Sequence, residues 1–192
     1  GVQRHLKVAG IFARLYYRDG KDKYRPEIPR FLNYLHQVQD QDLTLGVAMT
    51  DAKGDRSLRP HEQRNADSYV HIVERNAMHN GQRGIVISGA KAIVTGAPYM
   101  HELLVMPCRN MTQADADFAV CCAVPIDAPG LTLIARPAGR PGEPEHGEAL
   151  FSHKYGQSTA VCLFDRVFVP MERVFYAGEW EHTGHLTYSY AT

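Results

Sequence analysis

The sequence predicts an α+β chain in which helical segments flank a long middle region of short antiparallel strands. Two observations lead there. Apolar residues recur at three- and four-residue intervals as far as about residue 42, and from Leu43 the pattern changes to short β-branched runs separated by glycine, proline and asparagine. A chain of 192 residues suits one domain or one plus a fraction.

In chain order, Val2, Leu6, Ala9, Phe12 and Tyr16 share one helix face, which Gly20 punctuates after Arg18 and Asp19. A second helix is expected after Pro26 and Pro29, with Ile28, Phe31, Leu32, Leu35 and Val38 on one stripe. Proline is tolerated in a first turn because the nitrogen there lacks an intrahelical partner. Leu43 to Met49 reads as a strand entering the core. Further strands are expected at Tyr69–Glu74, Ile85–Ser88, Ala92–Thr95, Leu103–Met106, Phe118–Val124, Leu131–Ala135 and Ala160–Val169, with turn signals such as Asn80-Gly81 and Pro129-Gly130 between them. That spacing fits a barrel or a sandwich. Arg136 to Leu150 holds three prolines and three glycines and reads as a long loop, either a mobile connection or a lid. Helix-compatible spacing returns after Gly184.

The charge balance excludes some functions. Twenty-one basic and twenty-one acidic residues cancel, so no net field recruits nucleic acid or an anionic membrane. No run approaches the roughly 18 apolar residues of a membrane span, and the first residues lack a signal-peptide pattern, so the cytoplasm is the expected compartment. Cys108, Cys121, Cys122 and Cys162 form no C-x-x-C pair. Adjacent Cys121 and Cys122 would point to opposite faces of a strand, so buried free thiols are expected. His146, His153, His182 and His185, with Glu181, offer only partial ligand spacing, and no metal is expected.

Thr50 to Gln63, TDAKGDRSLRPHEQ, packs acids and bases around Gly54 directly after an apolar strand. Gly54 permits a turn or a close approach to a ligand, Lys53 and Arg56 can meet an anion, and Pro60 keeps the exit extended. The plain alternative is a solvated turn held by internal ion pairs, with Asp55 and Arg56 stapling the loop.

This block, then GIVISGAKAIVTGAP at Gly84 to Pro98, then LFDRVFVPMERVFYAGEWE at Leu163 to Glu181, resembles the flavoprotein family of 4-hydroxyphenylacetate 3-hydroxylase and 4-hydroxybutyryl-CoA dehydratase. The resemblance implies an acyl-CoA dehydrogenase-like fold. Residues 1–42 would end an N-terminal helical domain, 43–175 would form the middle β-barrel flavin-binding domain, and 176–192 would begin a C-terminal helical domain. Family members extend well beyond both ends of this stretch, so a fragment is expected.

By the same resemblance Lys53, Gly54, Asp55 and Arg56 contact the flavin, and Thr95 places its hydroxyl against the N5 edge, where it can both donate and accept. The plain alternative for Thr95 is a strand-ending threonine. Reduced FAD would come from a flavin reductase, with oxygen adding at the flavin C4a position and a phenol-like ring being hydroxylated. FAD is long and no Gly-rich dinucleotide loop is visible, so further contacts must come from elsewhere. The resemblance implies that C-terminal helices, those of a neighbouring subunit included, supply them, and a homo-oligomer, dimer or tetramer, is expected.

Departures from the family pattern keep other readings open. The dehydratase branch's two helix cysteines fall on Gly1 and His5, which argues against an iron–sulfur cluster, and Ser158 and Thr159 stand where its glutamate would be. The hydroxylase branch's histidine falls on Val47, while His5 is a candidate for lining the substrate pocket or a simple packing residue. The alternatives are a cluster-free relative acting on an acyl-CoA, such as a vinylacetyl-CoA isomerase, and a non-catalytic binding module.

Overall fold

The apolar runs at Leu103–Met106 and Val120–Val124 need cover on both faces, and in the computed structural model, which describes residues 27–136 and 156–184, they have it. Helix α1 (Glu27–Asp40) is followed by β1 (Leu45–Ala48), β2 (His71–His79), β3 (Gln82–Thr95), β4 (Glu102–Val105), β5 (Val120–Pro125), β6 (Leu131–Arg136), β7 (Thr159–Pro170) and β8 (Val174–Ala177). The strands form two four-stranded sheets, ordered β1-β4-β5-β8 and β2-β3-β7-β6. All pairs are antiparallel except β1 with β4.

Three layers result. Leu103, Val105, Val120, Cys122 and Val124 of the first sheet pack against Ile85, Ile87, Cys162 and Val167 of the second. Their neighbours Leu104, Met106, Cys121 and Ala123 turn the other way, toward Tyr34 and Val38 of α1. The adjacent thiols thus occupy opposite faces of β5, as strand geometry requires. Burial pushes the Cys162 thiol up to about 11 and Cys122 up to about 12, leaving both protonated and inert.

Helix α1 is anchored by a polar contact. The Tyr34 hydroxyl donates to Glu102 Oε2 at 2.5 Å, and Arg173 pairs with the other oxygen of that buried carboxylate. Burial, and then the bond to Glu102, raises the Tyr34 phenol far above its ordinary range. Leu32, expected on the inner stripe, is instead 38% exposed, because Tyr34 and Val38 carry the buried face.

Two expected strands, Ile85–Ser88 and Ala92–Thr95, are one. The apolar pattern breaks at Gly89 and Lys91, but the backbone continues through both. A Cβ at Gly89 (φ +126°) would lie 2.2 Å from the Tyr69 carbonyl oxygen, so this crossing needs glycine. On β7 the inward set changes from Ala160, Cys162 and Phe164 to Val167 and Val169 across an irregularity at Arg166 (φ 51°). One extra residue flips the faces there. Asn80 (φ 48°) and Gly81 (φ 78°) form the two-residue turn joining β2 to β3.

Among the described residues the sheets do not close into one barrel. They are joined along one side, where the chain leaving β1 bridges to β3 at Asp51 and Lys91. Ala92 N donates to Thr50 O at 2.8 Å and Ala52 N to Ala90 O at 3.3 Å.

Gly89→Ala is expected to cost about 3 kcal/mol or more, since a backbone clash adds to the positive-φ strain. Gly81→Ala, with a similar sign of φ but open space around it, is expected to cost about 1–2 kcal/mol. Urea denaturation of the two variants side by side checks the ordering.

Candidate functional site

The segment leaving β1 runs antiparallel to β3 and then lifts into a loop. Lys53 is half-buried with φ 65°, and its amide donates to Ser68 O at 2.9 Å. Beyond it the loop is held by one side chain. Gln63 Oε1 accepts from Asp55 N at 3.0 Å, while Gln63 Nε2 donates to Asp55 O at 2.7 Å. A Cβ at Gly54 would meet Gln63 Oε1 at 2.4 Å, so glycine makes room for this amide. Asp55 Oδ1 accepts from the Ser57 amide at 2.9 Å and its hydroxyl at 2.7 Å, which hold the carboxyl below its ordinary range. The Asp55–Arg56 staple of the plain alternative does not form. Arg56 is exposed, with no ion pair to Asp55 among the described residues.

Thr95 ends β3 opposite Thr159, and its side chain is exposed between buried Val94 and buried Gly96. Gly96 (φ 73°) turns the chain, its amide donating to Ser158 O at 2.8 Å. Ile93, two residues before it, and Tyr99, in the turn that follows, are exposed as well. Ile93 is reached through a bulge between Lys91 and Val94, where it adopts φ 58°. For a β-branched residue that conformation is strained, and bulges of this kind re-aim side chains.

Register separates the two sets of candidates. Ala52 lies beside Ala90 and the loop continues away from Thr95, so about 15–20 Å of strand lies between Lys53–Arg56 and the threonine at roughly 3.3 Å per residue. They cannot grip the same small group. A cleft of about 410 Å³ opens beside the loop, lined by Ala52, Ser68, Ser88, Ala90, Phe164 and Asp165. Val47 is half-buried in β1, packed against the core under α1. His5, His146, His153 and His185 lie outside the described residues, as does the Arg136–Leu150 loop beyond Arg136 itself. His182 is buried in the turn Trp180–His182. Among the described residues no cluster of histidine, cysteine or carboxylate side chains has metal-holding geometry.

Two charged clusters escaped sequence reasoning. Lys91 is 1% exposed; its Nζ donates to Met106 O at 2.8 Å and Met49 O at 3.0 Å and pairs with Asp51 Oδ1 at 2.5 Å. The second cluster surrounds Asp115, fully buried in the turn Gln113–Phe118. Its carboxylate accepts from Arg59 Nε at 2.9 Å, Arg59 Nη2 at 2.5 Å, the Thr112 amide at 2.9 Å and the Thr112 hydroxyl at 2.8 Å, with His61 Nδ1 at 2.6 Å. Burial alone would raise this carboxyl, but the bonds from His61, Arg59 and Thr112 hold it well below the usual range. The cluster roots the far end of the loop in the body of the protein.

Comparison with known proteins adds to this geometry. Residues 2–176 match the family model described as 4-hydroxyphenylacetate 3-hydroxylase N terminal. The chain is 39% identical over 164 residues to the 4-hydroxybutyryl-CoA dehydratase/vinylacetyl-CoA-Delta-isomerase of Clostridium aminobutyricum, covering 84% of this chain and 32% of that protein. It is 31% identical over 152 residues to the 4-hydroxyphenylacetate 3-monooxygenase oxygenase component of Geobacillus sp. (strain PA-9), covering 76% and 29%. An oxygen-tolerant archaeal 4-hydroxybutyryl-CoA dehydratase from N. maritimus has a similar structure, with TM-score 0.77 and 33% identity over 95% of this chain and 35% of that one. The oxygenase component (HpaB) of 4-hydroxyphenylacetate 3-monooxygenase complexed with FAD and 4-hydroxyphenylacetate gives TM-score 0.71 and 26% identity over 99% and 36%. The chain therefore spans about a third of the length of these relatives.

Asp115→Asn is expected to lose about 1–3 kcal/mol of stability at neutral pH. A depressed carboxyl stabilises the fold above its unfolded value of about 3.9 and loses that contribution as pH falls through the folded value. The gap between wild type and variant should therefore shrink as pH falls below about 5. Denaturation curves at several acidic pH values read it directly.

Proposed function

We propose that this chain, which belongs to the 4-hydroxyphenylacetate 3-hydroxylase N-terminal family, forms the sheet wall of the flavin site in the oxygenase component of a two-component, FADH2-dependent monooxygenase acting on a phenol-like aromatic. Thr95 carries the reading: a hydroxyl-bearing residue held exposed at a strand end, with its backbone paired to Thr159. Such a group can donate to or accept from a ring nitrogen whose role changes with redox state.

The residues present fit the cofactor. Exposed Arg56 offers a cation to an anionic ligand, Lys53 offers another, and the backbone around Gly54 and Asp55 is fixed by Gln63 before anything binds. The separation along β3 divides the labour. Thr95 serves the ring edge, and Lys53 to Arg56 serve a more distant, charged part of the same long molecule. Bound reduced FAD supplies the oxygen-activating chemistry, while the chain binds and orients it and keeps water from one side.

The two bridged sheets are read as the middle β-barrel domain, 43–175, of an acyl-CoA dehydrogenase-like fold. Residues 1–42 belong to a helical domain before it and the chain beyond β8 to one after it, since the expected boundary at 175 falls inside that strand and moves past Ala177, and His5 is a candidate for the substrate side. A reductase supplies FADH2, and a homo-oligomer completes the pocket.

A second reading, a cluster-free relative acting on an acyl-CoA, is favoured by the 39% identity to the dehydratase. Against it, Ser158 is buried with its hydroxyl donating to Arg136 O at 2.6 Å, which leaves no carboxylate at that position to move a substrate proton. Incubation with FADH2, oxygen and a panel of phenols tests the first reading through an oxygen-labelled hydroxylated product. Conversion of vinylacetyl-CoA without oxygen supports the second. Failure to retain oxidised or reduced FAD in equilibrium dialysis favours a binding module.

Thr95→Ala is expected to weaken flavin binding by about 0.5–1.5 kcal/mol or to alter flavin reduction and reoxidation rates, with the fold intact. Unchanged affinity and rates would remove Thr95 from the site. Arg56→Ala is expected to lower FAD affinity while shifting the melting temperature little, because the guanidinium is exposed. A large thermal shift with normal flavin affinity would make Arg56 structural.

A further inference from the structure

Among the described residues one lysine is buried between the sheets, and it has no role in the reading above. Lys91 is inside an apolar stretch of β3, and its ammonium meets three acceptors: Met49 O just past β1, Met106 O just past β4, and Asp51 Oδ1. Three donors and three acceptors leave the ammonium satisfied. The carboxylate is less well served. Asp51 Oδ1 also accepts from Val70 N at 3.3 Å, but Asp51 Oδ2 is buried with no hydrogen-bond partner among the described residues.

A buried ion pair with one oxygen unsatisfied is a poor device for stability, since desolvation offsets its attraction and an apolar pair of similar volume often does as well. What it supplies is direction. The ammonium fits only where the ends of β1 and β4 and the Asp51 backbone bridge converge, so a slip of β3 by one residue would bury a lone charge. Asp51 stands two residues before Lys53, and Lys91 four before Thr95.

We propose that the Lys91–Asp51 pair is the positioning element of the flavin site, fixing the register between the Lys53–Arg56 loop and the Thr95 strand end and hence the spacing of the two sets of contacts. It touches no substrate and acts through both. The proposal rests on the flavin reading, and its test separates the two.

The protein carrying Lys91→Met with Asp51→Leu, and separately Asp51→Asn, is compared with wild type by thermal melting, FAD titration, flavin reduction potential and amide hydrogen exchange. At least one variant is expected to fold with a melting temperature near wild type. It should bind FAD about tenfold more weakly or worse, shift the flavin potential, and exchange amides faster across 50–56 and 92–96. A folded variant with FAD affinity within about twofold of wild type and unchanged exchange overturns the proposal. Loss of folding in both variants also overturns it, because the pair would then serve stability. If wild type itself binds no FAD, the flavin reading fails, while exchange across the two segments still reports whether the pair holds their register.

Discussion

A single ammonium group ties the two sheets where they meet. Lys91 reaches the ends of β1 and β4 and the bridge at Asp51, so two segments more than fifty residues apart, 49–51 and 106, converge on one nitrogen. Remove it, and Met49 O and Met106 O lose their donor at the end of the parallel pair. The apolar contacts between the sheets supply most of the burial but little direction, because Leu, Val and Ile side chains can repack after a small slide. A charge that must be met at one point cannot.

Other departures from regular structure serve the same corner. Gly89 lets Tyr69 cross close to β3, and the bulge beyond Lys91 leaves Ile93 and Thr95 exposed while Val94 stays in the core. The loop between these features is braced at both ends. Gln63 brackets Asp55 within it, and Asp115 gathers Arg59 and His61 at its exit. Each brace is a polar side chain with its partners in place, so the loop reaches the surface with its backbone already ordered and Arg56 left free to meet something else.

Much of the fold was legible in the sequence because most of it follows from periodicity. The second helix, most of the strands, the Asn80-Gly81 turn and the opposed faces of Cys121 and Cys122 follow from local pattern, whereas β8 and the order of the strands in the sheets do not. What pattern conceals is the destination of polar residues. Lys91 in Gly-Ala-Lys-Ala looks like a solvent-facing break between two strands, and only the converging carbonyls of Met49 and Met106 make burial tolerable. Asp115 in Gln-Ala-Asp-Ala-Asp looks like a surface acid, and its partners Arg59 and His61 lie more than fifty residues away. Leu32 and Tyr34 exchanged places for a similar reason: the phenol found Glu102 across the fold.

The register between the loop and β3 changes what the candidate residues can do together. Read as sequence, Lys53, Arg56 and Thr95 all suit one anionic ring. Because the loop departs antiparallel to β3, its charges travel away from the threonine, and electrostatic help from Arg56 across some 15–20 Å would be weak at physiological ionic strength, where the screening length is about 8 Å. A ligand that uses both must be long, polar at one end, and flat or apolar at the other, the end of β3 at which Ile93 and Tyr99 are exposed. A flavin dinucleotide has that shape. An acyl-CoA is also long and charged at one end, so this spacing separates both from a phenol, which under the proposed function would be held by other walls of the pocket.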